Sequence, residues 1–167
     1  MSIFAELGVR DGKDRVKEEV LYNLAACYVL IEKKIAHVLK PHGLSPVKMN
    51  ALLMVKHVGK KEGLSQIEIS KRTIVTKGNI TRLIDRLEKE KLVERLSKPG
   101  DARIKLIKIT EKGSKLLDKV WPIYKKEVEN TVSIMPAMDM ITAGVVLSGF
   151  REALQKNLKE NLNEKMS

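Results

Sequence analysis

The sequence of 167 residues lacks the features that mark secreted and membrane-spanning proteins. Its single cysteine, Cys27, excludes an intrachain disulfide and fits a reducing cytoplasm. The N-terminal residues contain no apolar segment behind a basic start, and no run approaches the roughly 18 consecutive apolar residues of a membrane helix. We therefore expect no signal peptide, no membrane partner and a cytoplasmic location.

Motifs for catalysis and metal binding are also lacking. The sequence contains no G-x-S-x-G, P-loop, G-x-G-x-x-G or H-E-x-x-H pattern, and its carboxylates lie mostly on Glu/Lys-rich helix faces where solvation explains them. Cys27, Glu32, His37 and His42 could form a metal site only if folding brought them together. We expect a protein that is not an enzyme and that has no metal or other cofactor.

Acidic residues are fewer than basic ones. Lysine and arginine number 32 against 21 aspartates and glutamates, so the formal net charge is +11. Between Ser65 and Thr110, twelve basic residues stand against six acidic ones. Such a region neutralises phosphates and releases counterions, which is typical of nucleic-acid binding. Many soluble proteins are basic, however, so the position of these charges decides the interpretation.

Two short helices are predicted at the start of this basic segment. Ser65 and Glu68 have the spacing of a capping box, which predicts a helix of about seven residues beginning at Gln66. A turn over residues 73–76 follows, and Thr76 is the expected N-cap of a second helix. The second helix has an apolar inner side and a polar outer side. Its inner residues are Ile80, Leu83, Ile84 and Leu87.

Two strands are predicted after these helices. Residues 92–96 and 104–109 are rich in leucine and β-branched residues, and Lys98-Pro-Gly-Asp101 between them is a turn signal. The predicted order is therefore helix, turn, helix and β-hairpin. This order offers one helix to the major groove of DNA, with a basic hairpin beside it.

Long helical patterns lie on both sides of this segment. Helices are predicted over about residues 14–40 and from Pro46 before it, and over about residues 111–133 and 139–161 after it. The first and last helices carry apolar stripes that are too extensive for an isolated monomer. Their residues are Val20, Leu24, Cys27, Ile31, Ile35 and Val38 in the first helix, and Val145, Val146, Phe150, Leu154 and Leu158 in the last.

Several motifs in this order resemble those of the MarR family of winged helix-turn-helix transcription regulators. LSQIEIS followed by TKGNITRLIDRLEKEKLVER is similar to the family's helix-turn-helix, and KPGDAR is similar to its wing. Asp101 and Arg103 fill the family's Asp-x-Arg pattern, and ITEKG resembles its strand-to-helix exit. Two residues depart from the pattern. Lys91 stands where the family usually has a glycine with positive φ, and Gly78 stands where a side chain often faces DNA.

The resemblance implies a mainly α-helical fold with a small β-wing. It predicts a winged helix-turn-helix domain over residues 41–113, flanked by a helical dimerisation region formed by residues 1–40 and 114–167. The implied function is that of a transcription regulator, most simply a repressor, that binds a pseudo-palindromic operator in double-stranded DNA as a homodimer. The alternative is a winged-helix module that binds RNA or a protein partner.

Residues of the second helix and of the wing are the candidate DNA contacts. Asparagine and arginine form paired hydrogen bonds to base edges, whereas lysine and threonine mainly reach phosphates. Arg103 is the candidate for insertion into a narrow minor groove, and Asp101 is expected to hold that arginine. The helix candidates are Thr76, Lys77, Asn79, Thr81, Arg82 and Arg86. The wing candidates are Lys98, Asp101, Arg103 and Lys105.

A small aromatic or phenolic effector is a further candidate partner. Tyr28, Met54, Trp121 and Tyr124 could line its pocket, although aromatic residues on helices more often serve core or dimer packing. Cys27 could sense oxidants, but its place on the apolar stripe predicts a buried, inert thiol.

Overall fold

The computed structural model describes residues 2–8, 15–72 and 77–164, and within them the fold is mainly helical with one small antiparallel sheet. The helices are α1 (Ile3–Glu6), α2 (Val16–Leu39), α3 (Pro46–His57), α4 (Gln66–Arg72), α5 (Lys77–Lys89), α6 (Glu111–Val132) and α7 (Ala137–Glu164). The strands are β1 (Leu64–Ser65), β2 (Val93–Lys98) and β3 (Asp101–Ile109). The predicted fold class is confirmed.

Two helices begin where the sequence predicts, and a side-chain cap is present at each start. The Ser45 hydroxyl accepts a hydrogen bond from the Lys48 backbone N–H at 3.3 Å, and Pro46 opens α3. At the start of α6, the Thr110 hydroxyl accepts a hydrogen bond from the Gly113 N–H at 3.0 Å. These starts depend on interactions within one turn, which is why the local sequence predicts them.

The N-terminal segment is docked on α2. Phe4 is buried, and its ring makes an edge contact with Tyr22, with 5.8 Å between the ring centroids. The Arg15 guanidinium lies 4.2 Å from the centre of the same ring. Phe4, together with the buried Ile3, therefore anchors the short helix α1.

The apolar stripe of α2 is buried only near the end of the helix. Of the predicted stripe, Ile35 is in the core and Val38 is partly buried, whereas Val20 and Ile31 are about half exposed. Leu39, which the stripe did not include, is also in the core. Cys27 is exposed, like Ile31, so the prediction of a buried thiol is wrong for this chain. The reason is that α2 packs on α3 through its C-terminal turns, and Cys27 lies two helical turns before Ile35.

The sheet joins the two predicted strands to a third that sequence analysis did not find. β3 lies between β1 and β2, and β1 pairs Leu64 with Ile107. Near its tip the β2–β3 hairpin contains a bulge. Ser97 pairs with Lys105, whereas the next residue of β2, Lys98, pairs with Asp101, four residues away on β3. The connecting turn is Pro-Gly, and Gly100 has a φ of 84°, as expected after a proline in a type II turn.

The chain divides into two compact units, Met1–Glu127 and Val128–Ser167. The first contains the core, in which every one of the largest fully buried side chains lies. These are Phe4, Leu39, Met49, Leu52, Val55, Ile69, Ile80, Ile84, Leu87, Val93, Ile107 and Leu117. In the second unit, none of the side chains described in α7 is buried. The predicted apolar face of α7 is thus exposed in the single chain.

Candidate nucleic-acid interface

Helix α5 is strongly two-sided. Its four predicted inner residues are all buried, which confirms that part of the prediction. They are Ile80, Leu83, Ile84 and Leu87. Burial of this stripe fixes the direction in which the opposite side of the helix points. Of the predicted contact residues on that side, Thr76 and the side chain of Lys77 lie outside the described residues.

The outer side of α5 presents Asn79, Thr81, Arg82 and Arg86 to solvent. The Thr81 hydroxyl accepts a hydrogen bond from the Gln66 side-chain amide, which joins α4 to α5. Neither the Arg82 nor the Arg86 side chain forms a hydrogen bond or ion pair with another residue that the structure describes. Two guanidinium groups four residues apart on one helix face are therefore available to an external acceptor.

A groove of about 320 Å³ separates this face from the N-terminus of α3. Its walls include Ser45, Lys48, Asn79, Arg82 and Arg86. Lys48 also forms a 2.5 Å ion pair with Glu90, just beyond the end of α5. The groove is thus bounded by cationic side chains, and an ion pair joins α3 to the end of α5.

The wing tip presents a paired aspartate and arginine. The Asp101 carboxylate accepts hydrogen bonds at 3.1 Å from both the backbone N–H and the side-chain Nε of Arg103. The predicted contact between these residues is present. The Arg103 side chain is nevertheless 92% exposed, and it lies in the bulged part of β3. Its hydrogen bonds lower the pKa of Asp101, which keeps the carboxylate ionised.

The remaining wing candidates lie beside this pair. Lys98, at the end of β2, is exposed and pairs in register with Asp101. Lys105 is exposed and donates a hydrogen bond to the Ser97 hydroxyl at 2.7 Å. The structure therefore places Lys98, Asp101, Arg103 and Lys105 on one hairpin.

The capping box at the start of α4 is formed as predicted. Glu68 accepts hydrogen bonds from the Ser65 hydroxyl at 2.7 Å and from the Ser65 backbone N–H at 2.9 Å. These two hydrogen bonds, the hydroxyl one above all, lower the pKa of Glu68. The box fixes the start of α4, the first helix of the helix-turn-helix.

The turn after α5 keeps a left-handed backbone although a lysine stands at position 91, so the different turn shape that a lysine there favours is not found. Lys91 has a φ of 59°, in the left-handed region where the family usually has glycine. Its carbonyl oxygen accepts a hydrogen bond from the Thr110 hydroxyl at 2.7 Å. The departure from the family pattern therefore lies in the residue type and not in the shape of the turn.

A second cavity, of about 420 Å³, lies among α3, α4 and α6. Its walls include Leu53, Met54, His57, Arg72 and Trp121. It thus brings together two of the four residues predicted to line an effector pocket. Sequence analysis missed His57, although it lies three residues after Met54 on the same helix face. It also missed Arg72, whose approach depends on tertiary packing.

The other two predicted pocket residues do not line this cavity. Tyr124 is partly buried and lies against Trp121, with 5.6 Å between the ring centroids. Tyr28 is more than half exposed. It lies two turns before Ile35 on α2, ahead of the turns that pack on α3, so it cannot reach the cavity formed further along.

Two further features of the described part of the chain concern metal binding and membrane insertion. There, no group of three or more histidine, cysteine or acidic side chains is placed to hold a metal ion. No single described helix is both long and apolar enough to cross a membrane. Only α6 and α7, taken together as a bent pair, meet that length and composition.

Comparison with known proteins finds similarity to one family over part of the chain. The MarR family pattern matches residues 42–104, from the turn before α3 to the wing. The HTH-type transcriptional regulator MhqR of Bacillus subtilis is 33% identical over 94 residues, or 56% of this chain and 63% of that protein. The match to MhqR thus spans less than two thirds of its length. The HTH-type transcriptional repressor MdtR of Bacillus subtilis is 22% identical over 149 residues, or 89% of this chain and 94% of that protein.

Solved structures share the fold. A mutant MarR from E. coli, complexed with operator DNA, superposes with a TM-score of 0.75 at 18% identity and covers 84% of this chain and 99% of its own. The relatives named here are regulators, in agreement with the prediction that this protein is not an enzyme. The motif order, the buried side of α5 and the wing agree with the match of residues 42–104 to the MarR family of winged helix-turn-helix transcription regulators, and the chain shares the fold of the solved MarR structure.

Proposed function

We propose that this protein is a sequence-specific regulator that binds double-stranded DNA through α5 and the wing. One observation carries the proposal. Asn79, Arg82 and Arg86 are exposed on the side of α5 opposite its buried stripe, and the two arginines have no acidic partner among the described residues. A rigid helix with free guanidinium groups meets the requirements of major-groove readout.

Each candidate residue has a role in this proposal. Asn79, Arg82 and Arg86 read base edges or bind nearby phosphates. The sugar-phosphate backbone of the DNA is contacted by Thr76, Lys77 and Thr81. The wing lies along the duplex. Arg103 enters the minor groove, Asp101 orients it, and Lys98 and Lys105 bind phosphates.

The proposal includes a homodimer formed by residues 1–40 and 114–167. α2 exposes Val20 and Ile31, and α7 exposes Val145 and Phe150. Exposed apolar stripes of this extent are typical of surfaces that pack on another chain. A two-fold dimer would present two α5 helices to successive major grooves, about 34 Å apart, and would select a pseudo-palindromic operator.

We further propose that the regulator is a repressor released by a small aromatic or phenolic ligand. The repressor role is supported by the similarity to MdtR. The cavity beside Met54 and Trp121 has apolar walls, and Arg72 and His57 add polar groups that suit a phenolate or a carboxylate. To release the operator, a ligand bound there would have to favour a dimer conformation in which the spacing of the two α5 helices no longer matches the major grooves. A thermal-shift screen of phenols and aromatic acids, followed by DNA-binding assays with each hit, tests this part.

Selection of bound duplexes from a random pool tests the central proposal. We expect a palindromic consensus, and specific duplex should compete better than random duplex or RNA in a gel shift. Arg82→Ala should weaken binding to that consensus by about fivefold to a hundredfold. Arg151→Ala is the matched control, because it also removes one exposed arginine but lies on α7. Stronger competition by RNA, or equal effects of both substitutions, would contradict the proposal.

A further inference from the structure

Two carboxylates lie among the basic residues of α5, and both contact the same arginine. Arg95 Nη2 lies 2.5 Å from the Asp85 carboxylate, and Arg95 Nη1 donates a hydrogen bond to Glu88. Asp85 is three residues after Arg82 and directly precedes Arg86. A pair of negative charges therefore borders the surface proposed to face DNA.

Arg95 reaches these carboxylates from the wing. It lies in β2, two residues after buried Val93, and therefore points to the side of the strand that packs toward α5. It pairs in register with Ile107 of β3. Its side chain is 25% exposed, against 56% for that of Asp85. The guanidinium thus connects the wing hairpin to α5 from a partly buried position.

The contacts have more consequence for binding than for folding. Partly exposed ion pairs contribute little to stability, since solvent screens the attraction and both side chains lose entropy. The effect on DNA binding is larger, because carboxylates without a counter-charge are repelled by the closely spaced phosphates. Like charges placed against each other at an interface weaken binding and alter its salt dependence.

We propose that Arg95 is a positioning residue for DNA binding. It acts through Asp85 and Glu88, whose negative charge it neutralises beside the phosphates. This inference rests on the proposed function, since it assigns Arg95 a role at the same surface without a contact to DNA of its own. Sequence analysis passed over Arg95 as one more basic residue in a strand, because its partners lie ten and seven residues earlier on another element.

The test measures DNA affinity as a function of salt with the full-length protein and its selected duplex. Four proteins are compared: the unmodified chain, Arg95→Met, Asp85→Asn/Glu88→Gln, and the triple variant that combines these substitutions. Methionine keeps an unbranched stem without the charge. Arg95→Met should bind about tenfold more weakly at low salt, and the loss should shrink as salt rises. The triple variant should recover to within about threefold of the unmodified chain, since the uncompensated carboxylates are gone. Thermal unfolding of all four proteins reports any loss of folding.

Several results would overturn the inference. If Arg95→Met binds as tightly as the unmodified chain, Arg95 does not position the interface. If the triple variant remains as weak as Arg95→Met, the arginine contacts DNA itself or serves only the fold, and melting temperatures distinguish these two cases. If the unmodified chain binds no duplex, the proposed function fails and the inference fails with it. Duplex binding by the unmodified chain with no effect of Arg95→Met overturns the inference alone.

Discussion

The turn that ends α5 leads to a stability prediction with opposite signs at two neighbouring lysines. Lys91 N–H donates to the Glu88 carbonyl oxygen at 2.8 Å, and Leu92 N–H donates to that of Leu87 at 2.9 Å. These are the two hydrogen bonds of a Schellman motif, in which the left-handed residue is usually glycine. Here it is Lys91, with a φ of 59°. Its backbone is held in place by the hydrogen bond from Thr110, so the residue cannot relax into another conformation.

The size of the effect follows from two terms. A left-handed backbone costs a residue with a Cβ roughly 1–2 kcal/mol. Glycine removes that cost, but glycine also gives the unfolded chain more conformational freedom, which offsets about 0.5–1 kcal/mol of the gain. Lys91→Gly should therefore stabilise the protein by about 0.5–1 kcal/mol, which raises the melting temperature by about 1–4 °C in a chain of this length. No side-chain hydrogen bond or ion pair is lost, because the Lys91 side chain is exposed and makes neither to the described residues.

Lys89→Gly is the matched control. Lys89 is also exposed and is the last residue of α5, where the backbone is right-handed. The substitution removes the same charge but places glycine in a helix, so it should destabilise the protein by about 0.5–1 kcal/mol. Circular dichroism melts at one fixed protein concentration measure both variants. If both substitutions lower the melting temperature, the lysine at the left-handed position is not strained and the reasoning is refuted.

Three further substitutions test the site and its scaffold. Arg103→Ala should weaken duplex binding about tenfold to a hundredfold in anisotropy titrations without lowering the melting temperature, because the side chain is 92% exposed; unchanged binding would rule out the wing contact. Glu68→Gln should make stability less dependent on pH. The Ser65 hydroxyl lowers the pKa of Glu68, so the ionised carboxylate stabilises the fold at pH values above its unfolded-state pKa. This contribution is lost as the pH falls through the folded-state pKa. Melting temperatures that change equally with pH in the two proteins would contradict this. Gly113→Ala should cost about 2–3 kcal/mol in denaturant unfolding, since its Cβ would lie 2.1 Å from the Leu92 carbonyl oxygen; an unchanged midpoint would show that the helix start can shift.

Helix starts were the most predictable part of the fold because their causes are local. The capping box joins Ser65 and Glu68 across three residues, and the Thr110 hydroxyl reaches only to Gly113. The buried side of α5 was equally predictable, since a stripe of period 3.6 needs no knowledge of what covers it. These signals are enough to orient the outer face of α5, which carries the proposed base contacts.

Features that depend on distant pairing could not be predicted. Strand β1 has only two residues, and it is a strand only because Leu64 and Ser65 pair with residues more than forty positions later. The bulge that contains Arg103 is likewise a property of two paired strands and not of either one. Arg95 belongs to the same class, because its contact with Asp85 requires β2 to pack on α5.

The terminal helices show a second limit on what can be predicted from sequence. A period-3.6 stripe predicts that one side of a helix will be covered, but it does not distinguish cover by the same chain from cover by a second one. In α2 the stripe divides: Ile35 is buried within the chain, whereas Cys27 and Ile31 are exposed. Cover by a second chain would therefore change the environment of the Cys27 thiol. If the proposed dimer buries this part of α2, the thiol becomes as inaccessible as its position on the stripe suggested, and its reactivity reports the oligomeric state.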